Sequence, residues 1–164
     1  MTIVSSTDSG RVATHDHGWT LIVKSADQLV TNSNALVDDT ELQFTTVANT
    51  NYIIRLHVFW NTSNSGADYQ YWVKHDGTTS RAIRRIVRNV AGAAPAETSL
   101  VASFDVAATS LTTTVAGYNV VEETIILQVG ASGGLFHIQF AQVTAVAGNS
   151  VTHYEGSTLE YAIT

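Results

Sequence analysis

The chain has 164 residues, of which 45% are hydrophobic and 13% charged, and its formal net charge is −6. This length predicts one domain with a core of its own, and the acidic balance argues against a nucleic-acid-binding module, which must neutralise phosphates. Because the sequence contains no cysteine, it excludes a disulfide framework, a thiol nucleophile and a cysteine-ligated metal or iron–sulfur site.

The first residues have neither the basic segment nor the long apolar segment of a signal peptide. No stretch approaches the roughly 20 apolar residues that span a bilayer. We therefore expect a soluble protein that is made in the cytoplasm and has no membrane partner.

Residues 1–17 are polar, show no regular pattern and end in His15-Asp16-His17. We predict that they form an extended N-terminal arm, followed by a folded domain over residues 18–164. His15 and His17 would point the same way on an extended chain, so a surface metal site is geometrically possible there. Since the sequence shows no third ligand, we predict no bound metal and treat both histidines as candidate partner contacts.

From Trp19 onward, apolar and polar residues alternate with the period of two that is typical of half-buried strands. The clearest run places Tyr52, Ile54, Leu56, Val58 and Trp60 on one face. Comparable runs cover residues 19–24, 42–46, 69–74, 136–141 and 159–163. Turns are predicted at Asn49-Thr50-Asn51 and Asp76-Gly77. Many short strands separated by turns predict an antiparallel β-sandwich or barrel.

The aromatic residues of these runs have two interpretations. Trp60, Tyr69 and Tyr71 could form a stacking platform for a sugar, but their place in alternating runs favours the core. Trp72 falls on the opposite face from Tyr71, among polar neighbours. We therefore expect Trp72 to contact another subunit or a ligand.

The sequence of residues 81–90 is compatible with either a helix or a strand. Arg81, Arg84, Arg85 and Arg88 follow helical spacing, but the segment is β-branched and lies between predicted strands, which favours a strand. The arginines could bind an acidic partner, with a solvated face as the alternative. Residues 91–98 contain the only proline and are predicted to be a loop. Val120 to Val129, which is almost continuously apolar after Glu122-Glu123, predicts a strand covered on both faces.

Two short motifs suggest chemistry that we do not expect. Gly130-Ala131-Ser132-Gly133-Gly134 matches the G-x-S-x-G motif of serine hydrolases, but that motif needs a following helix, and residues 135–140 alternate like a strand. We predict a hairpin turn in which the glycines supply positive φ. The oxygen donors of Asp38-Asp39-Thr40-Glu41 lack the spacing of a calcium loop, so we predict a solvated turn.

The remaining titratable residues form no recognisable catalytic pattern. Glu122 and Glu123 point to opposite faces if they lie in a strand. The four later histidines are spread over different strands, where we expect each to be bonded to a partner or exposed; they are His57, His75, His137 and His153. We predict no enzyme activity and no cofactor.

A series of short motifs between Leu21 and Tyr52 is similar to a known family. They are Val23-Lys24-Ser25-Ala26-Asp27-Gln28, Asn32-Ser33, Leu36-Val37-Asp38-Asp39, Glu41-Leu42-Gln43-Phe44 and Ala48-Asn49-Thr50-Asn51-Tyr52. Phe140-Ala141-Gln142 and Gly156-Ser157-Thr158-Leu159 continue the match. Together they resemble tailed-phage virion proteins with the jelly roll of the tumour-necrosis-factor and complement superfamily.

The resemblance implies a homotrimeric jelly-roll β-sandwich. It further implies a head decoration (cement) protein, assembled in the host cytoplasm, that binds the major capsid protein on the outside of the virion head; a receptor-binding tail-fibre knob or a carbohydrate-binding module is the alternative. We expect the arm and the loops at one end of the trimer to contact the shell. Residues 81–90 and 91–117 match no motif of that family, so a contact surface specific to this chain is expected there. The candidate contact residues are His15, His17, Trp72, Arg81, Arg84, Arg85 and Arg88.

Overall fold

The computed structural model describes residues 2–4, 11–14, 18–64, 68–89, 96–101, 109–111 and 119–164. Within these ranges all regular structure is β-strand, and no helix is present that could span a membrane. The strands are β1 (Thr2–Val4), β2 (Arg11–Thr14), β3 (Trp19–Val23), β4 (Gln28–Thr31), β5 (Val37–Thr45), β6 (Asn51–Thr62), β7 (Tyr69–His75), β8 (Thr79–Asn89), β9 (Ala96–Val101), β10 (Thr109–Leu111), β11 (Asn119–Val129), β12 (Leu135–Gln142), β13 (Ser150–His153) and β14 (Thr158–Ile163). The prediction of an all-β chain is confirmed.

The described strands form two antiparallel sheets that pack on each other. The larger sheet has the order β1-β2-β3-β14-β6-β11-β8-β9, and β13 joins it by pairing with β6 and β4. The smaller sheet has the order β10-β7-β12-β5. Aromatic rings connect the two: Trp60 of β6 stacks on Tyr69 of β7 with ring centroids 4.1 Å apart, and Phe44 of β5 stacks on Tyr161 of β14 at 3.9 Å. The arrangement is sandwich-like, with one core between the sheets.

The strand with the clearest alternation, β6, lies near the middle of the larger sheet. Its predicted apolar face is buried throughout, while Arg55 and His57 on the opposite face are exposed. Trp60, Tyr69 and Tyr71 are all buried, so the prediction that they belong to the core is confirmed. Burying one large apolar side chain contributes about 1.5–3 kcal/mol, which makes this row a main source of stability.

The structure corrects the prediction for β11. Its residues alternate between buried and exposed along the whole strand, and Ile126 is 49% exposed. The strand lies between β6 and β8, and one side of it faces away from the core. The outer face of β11 carries the polar Glu122, Thr124 and Gln128, and Ile126 is the apolar residue among them that gives the sequence its continuous appearance.

The open question at residues 81–90 is answered for most of the segment. Residues 79–89 form β8, which pairs with β11, so the strand prediction is confirmed. The loop predicted over 91–98 is wrong for residues 96–98, because they belong to β9 and pair with β8, Thr98 opposite Ile86. Residues 90–95 lie outside the described ranges.

At the N-terminus, β1 and β2 extend the larger sheet beyond β3. Val12 of β2 lies opposite Ile22 of β3, and Val4 of β1 lies opposite Val12. His15 and His17 lie outside the described residues. A separate arm over residues 1–17 stays a prediction.

The glycine-rich segment 130–134 does not form the predicted hairpin turn. It leads from β11 in the larger sheet to β12 in the smaller one, and its glycines do not have positive φ. Its glycines are required by close packing instead, because a Cβ atom on Gly133 would collide with the carbonyl oxygen of Thr46. Ser132 is exposed, and a strand follows it, as expected from the alternation.

Candidate functional site

Two of the segments that carry the family resemblance bind each other through buried charged groups. Lys24, directly after β3, places its Nζ 3.0 Å from Asp39 Oδ1 and 3.8 Å from Glu41 Oε1. Ser25 donates its backbone N–H and its hydroxyl to Glu41 Oε2 at 2.7 and 2.8 Å. The predicted solvated turn at residues 38–41 is wrong, because Asp39 and Glu41 lie inside β5 and are buried. We call these four residues the motif junction.

The motif junction continues into the core through a histidine. His153 of β13 lies with Nδ1 2.9 Å from Asp39 Oδ2, and its Nε2 is 2.8 Å from the hydroxyl of Tyr69 in β7. Phe140 stacks on the imidazole with ring centroids 3.7 Å apart. Asp39, His153 and Tyr69 are completely buried. We call Asp39, His153 and Tyr69 the relay. It connects the two sheets, since β13 belongs to the larger sheet and both β5 and β7 belong to the smaller one.

A second buried ion pair lies beyond Tyr69. Tyr71 stacks on Tyr69 with centroids 5.8 Å apart and donates its hydroxyl to Glu123 Oε2 at 3.1 Å. Arg84 binds Glu123 through two nitrogens, with Nε on Oε1 and a terminal nitrogen 3.0 Å from Oε2. Glu122, one residue earlier, is exposed, so the predicted opposite orientation of the two glutamates is confirmed.

The environment of these groups shifts their pKa values. Burial alone would raise the pKa of Asp39, but the hydrogen bond and charge of His153, the charge of Lys24 and the N–H of Glu41 hold it well below its usual range. Burial lowers the pKa of His153, and Asp39 offsets only part of that effect. Burial also raises the pKa of Tyr69, helped by the neighbouring Tyr71 and carboxylates. At neutral pH the relay therefore contains an ionised Asp39, a neutral imidazole and a neutral phenol.

The chemistry open to this relay is limited by its burial. A carboxylate that orients a histidine, which in turn bonds a hydroxyl, is the arrangement that activates nucleophiles in hydrolases. Here all three groups are sealed in the core, so a substrate cannot reach the hydroxyl of Tyr69. The relay therefore has a structural role, since it gives the buried polar atoms between the two sheets their hydrogen-bond partners.

The sequence did not reveal this cluster, because charged residues in a short acidic run are expected at the surface. The one available signal was that Lys24, Asp39 and Glu41 all belong to the motifs that carry the family resemblance. His153 and Tyr69 gave no such signal, and only the topology brings them together.

The predicted arginine cluster is divided by the strand. Arg81 and Arg85 point to the exposed face of β8, whereas Arg84 points into the core. Arg84 therefore shares no surface with the other two. Arg88 lies in β8, but its side chain is outside the described set.

Trp72 lies on the outer face of the smaller sheet. It is half-buried opposite Gln139 of β12, and Tyr71 beside it is buried, so the predicted opposite orientation is confirmed. His137 occupies the same face and is itself buried between two carboxylates, with Nδ1 2.9 Å from Asp38 Oδ1 and Nε2 3.5 Å from Asp76 Oδ1. Neither contact has the alignment of a hydrogen bond. The structure does not bring Trp72 together with Arg81 and Arg85, because those two belong to the other sheet.

The histidines that the structure describes lie on separate strands, as predicted. His75 bonds the hydroxyls of Thr46 and Thr79 at 2.8 and 2.9 Å. His57 is exposed on β6, with Nε2 3.4 Å from Glu122 Oε1. Among the residues covered by the structure, no group of three or more histidine or acidic side chains is placed to hold a metal ion.

Two concave regions lie on the described surface. The first, of about 270 Å³, is a polar depression lined by Arg55, Leu56, His57, Glu122, Glu123, Thr124, Thr158 and Glu160. The second, of about 460 Å³, lies beside the motif junction and is lined by Val23, Lys24, Ser25, Glu155 and Gly156. Trp72 lines neither of them.

Comparison with protein-family models, with curated proteins and with solved structures finds no significant match to this chain.

Proposed function

We propose that this chain is a decoration (cement) protein of a tailed-phage head, which binds the outer surface of the shell and stabilises it. The observation that carries the proposal is the motif junction. Lys24, Ser25, Asp39 and Glu41 belong to the motifs that resemble the phage family, and in the structure they bond directly to one another. We infer that proteins with these motifs share this contact between β5 and the segment after β3.

The proposed architecture is a jelly-roll sandwich that assembles as a homotrimer. The sandwich-like packing of two antiparallel sheets is compatible with a jelly roll, which consists of two such sheets. Trimerisation would bury apolar side chains that a single copy leaves exposed, such as Ile126 and Ile163. The N-terminal arm, if extended, could reach a neighbouring subunit.

The proposed mechanism is stabilisation by binding. A protein that binds the assembled shell but not its separated subunits stabilises the shell by RT ln(1 + [L]/Kd) for each site. This mechanism needs a rigid module with a contact surface and no reacting group. The sealed relay of Asp39, His153 and Tyr69 supports this role, because it uses the polar groups of the core for internal bonds.

The test is the copy number of this protein in purified virions, measured by quantitative mass spectrometry against the major capsid protein. We expect hundreds of copies, near-stoichiometric with the capsid protein. A few copies to a few tens would move the protein to the tail or a vertex, and absence from the virion would overturn the proposal. Deletion of residues 1–17 tests the arm separately, since unchanged shell binding would exclude a role for it.

A second candidate function is glycan binding by a receptor-recognition module, and the polar depression favours it. Glu122 and Glu160 supply acceptors and Arg55 supplies donors, while His57 stacks on Phe59 at 5.1 Å beside them. Such a mixture of polar groups and rings is suited to sugar hydroxyls. Saturable binding to host cell-wall glycan that Glu122→Gln abolishes would support this function over head decoration.

A further inference from the structure

We propose that the motif junction is a self-modification site, at which Nζ of Lys24 condenses with the side-chain carboxyl of Asp39 to form an isopeptide bond and one molecule of water. The ion pair that the structure shows is the state before this reaction. The bond would close residues 24–39 into a ring and join the segment after β3 in the larger sheet covalently to β5 in the smaller one. This inference goes beyond the proposed function and does not depend on it.

The two reacting groups are held in contact, away from water. Nζ of Lys24 lies 3.0 Å from Oδ1 of Asp39, and neither side chain has exposed surface. Holding two reactants together replaces a bimolecular encounter, and well-oriented intramolecular reactions reach effective concentrations of about 10⁵–10⁸ M. The burial that keeps an outside substrate from the relay is no obstacle here, because both reactants belong to the chain.

Burial also favours the product. Each buried charge carries a desolvation penalty that an ion pair offsets only in part, whereas an amide is neutral. A low dielectric favours transfer of a proton within the pair, which gives the neutral amine that can attack and the carboxylic acid that can be attacked. Lys74 and Asp76, with Nζ 3.2 Å from Oδ1, form the same pair at a solvent-accessible position and lack both advantages.

The groups around the Asp39 carboxyl match those that acyl transfer needs. The backbone N–H groups of Glu41 and Leu42 donate to Oδ1 at 3.0 and 3.1 Å, so they can stabilise the negative charge that develops on this oxygen during attack. Glu41 Oε1, 3.8 Å from Nζ of Lys24, is placed to accept a proton from it. His153 Nδ1, 2.9 Å from Oδ2, is placed to protonate the leaving oxygen.

The reaction balances without any further reagent. The Nζ–Cγ bond forms and the Cγ–Oδ2 bond breaks. Of the three ammonium protons, one stays on the amide nitrogen and two pass through Glu41 and His153 to Oδ2, which leaves as water. Both carriers end in the protonation states in which they began. The contacts that hold the pKa of Asp39 well below its usual range also disfavour its carboxylic acid form, so we expect condensation to take hours to days after folding.

Intact-mass spectrometry of the purified protein during a week at physiological temperature and neutral pH measures the reaction, because the product is lighter by one water molecule. We expect this lighter form to accumulate until most molecules carry the bond. Trypsin digestion of the denatured product should then leave Lys24 uncleaved while Lys74 is cleaved. Tandem spectra of the resulting peptide 12–55 should lack fragments from breaks between residues 24 and 39, since the ring holds both parts together.

Three variants test the individual roles. Lys24→Arg keeps a cation beside Asp39 but cannot form the bond, so it should lose no water. Glu41→Gln keeps the shape of the side chain and removes the proton acceptor, so we expect the bond to form at least about tenfold more slowly. Lys74→Arg, at the solvent-accessible pair, is the matched control and should react at the wild-type rate. Near-UV circular dichroism verifies that each variant is folded, and the wild-type peptide map decides the question even where a variant does not fold.

Several results would overturn the inference. If the wild-type mass does not change and trypsin cleaves after Lys24, the cluster is an ion pair only. If the lost water maps to residues 75–81, it came from a succinimide at Asp76-Gly77. If the bond joins Lys24 to Glu41, Asp39 is not the electrophile, and an unchanged rate in Glu41→Gln would exclude Glu41 as the base. None of these results bears on head decoration, which the copy number in virions tests by itself.

Discussion

His153 and Asp39 are 114 positions apart in the chain, yet His153 Nδ1 lies 2.9 Å from Asp39 Oδ2 in the centre of the protein. Asp39 belongs to the smaller sheet and His153 to the larger, so this contact joins the two layers. Asp39 also accepts from Lys24 Nζ and from the backbone N–H groups of Glu41 and Leu42. One buried carboxylate thereby fixes how the start of β5 faces both β13 and the segment after β3.

The first prediction concerns the charge of this carboxylate. Asp39→Asn keeps the shape of the side chain but leaves Lys24 buried with only Glu41, 3.8 Å away, as a charged partner. Breaking a buried pair from one side is strongly destabilising, so we expect a loss of about 3 kcal/mol in the free energy of unfolding. Urea denaturation measures it, and Glu155→Gln at an exposed carboxylate is the control, with an expected change below about 0.5 kcal/mol. Equal effects of the two substitutions would contradict a structural role for the Asp39 charge.

The second prediction is a two-step loss of stability on acidification. Burial lowers the pKa of His153 in the folded protein. The folded state therefore binds a proton at His153 less readily than the unfolded chain, in which a histidine has a pKa of about 6.5. The stability is therefore full above about pH 6.5 and declines below it. The pKa of Asp39 is held well below its usual range, so a further decline follows below about pH 4, where unfolded aspartates become protonated.

Urea unfolding at a series of pH values between 7.5 and 3 measures both steps. Burial lowers the pKa of His75 as well, so His75 contributes to the first step in the same direction. His153→Gln should flatten that step in part, because it removes the buried imidazole whose pKa is lowered in the folded protein. An identical slope in the wild-type protein and His153→Gln would show that His153 does not supply it.

The third prediction concerns the ion pair of Arg84 and Glu123. Glu123→Gln leaves a buried guanidinium without its charge partner, and we expect it to cost about 3 kcal/mol or more. The double variant Arg84→Met/Glu123→Leu removes both charges, so it should be more stable than the single variant Glu123→Leu, and the single variants Arg84→Met and Glu123→Leu complete the cycle. A double-mutant cycle from urea unfolding gives the coupling energy. Additive effects would contradict a coupled pair.

The strands were largely predictable from the sequence, because alternation is a local property of the chain. Residues 52–60 show it clearly, and their burial follows the prediction. In β11 the consecutive Ile125, Ile126 and Leu127 predict a doubly covered strand, although Ile126 points outward and is 49% exposed. The sequence alone does not show which of these neighbouring residues faces the core.

The buried polar network was not predictable for a related reason. A lone charged residue in a sequence is expected at the surface, since burying an unpaired charge is costly. The burial of Lys24 and Asp39 becomes favourable only when each supplies the other's partner, and that depends on the packing of distant segments. The prediction for residues 130–134 was wrong for the same reason. Glycine is required there by the close approach of Thr46 and not by the φ angles of the segment.

The last prediction tests this close approach. A methyl group at residue 133 would collide with the carbonyl oxygen of Thr46 and come close to the backbone nitrogen of Ala48, and neither can move as a flexible side chain could. Gly133→Ala should therefore destabilise the protein by about 1–3 kcal/mol, the usual cost of overpacking. Ser132→Ala, one position earlier, changes an exposed side chain whose hydroxyl lies 3.4 Å from Thr78 Oγ1, and we expect a change below about 0.5 kcal/mol. Thermal and urea unfolding of both variants measure the difference, and a Gly133→Ala protein as stable as Ser132→Ala would refute the packing requirement at this crossing between the sheets.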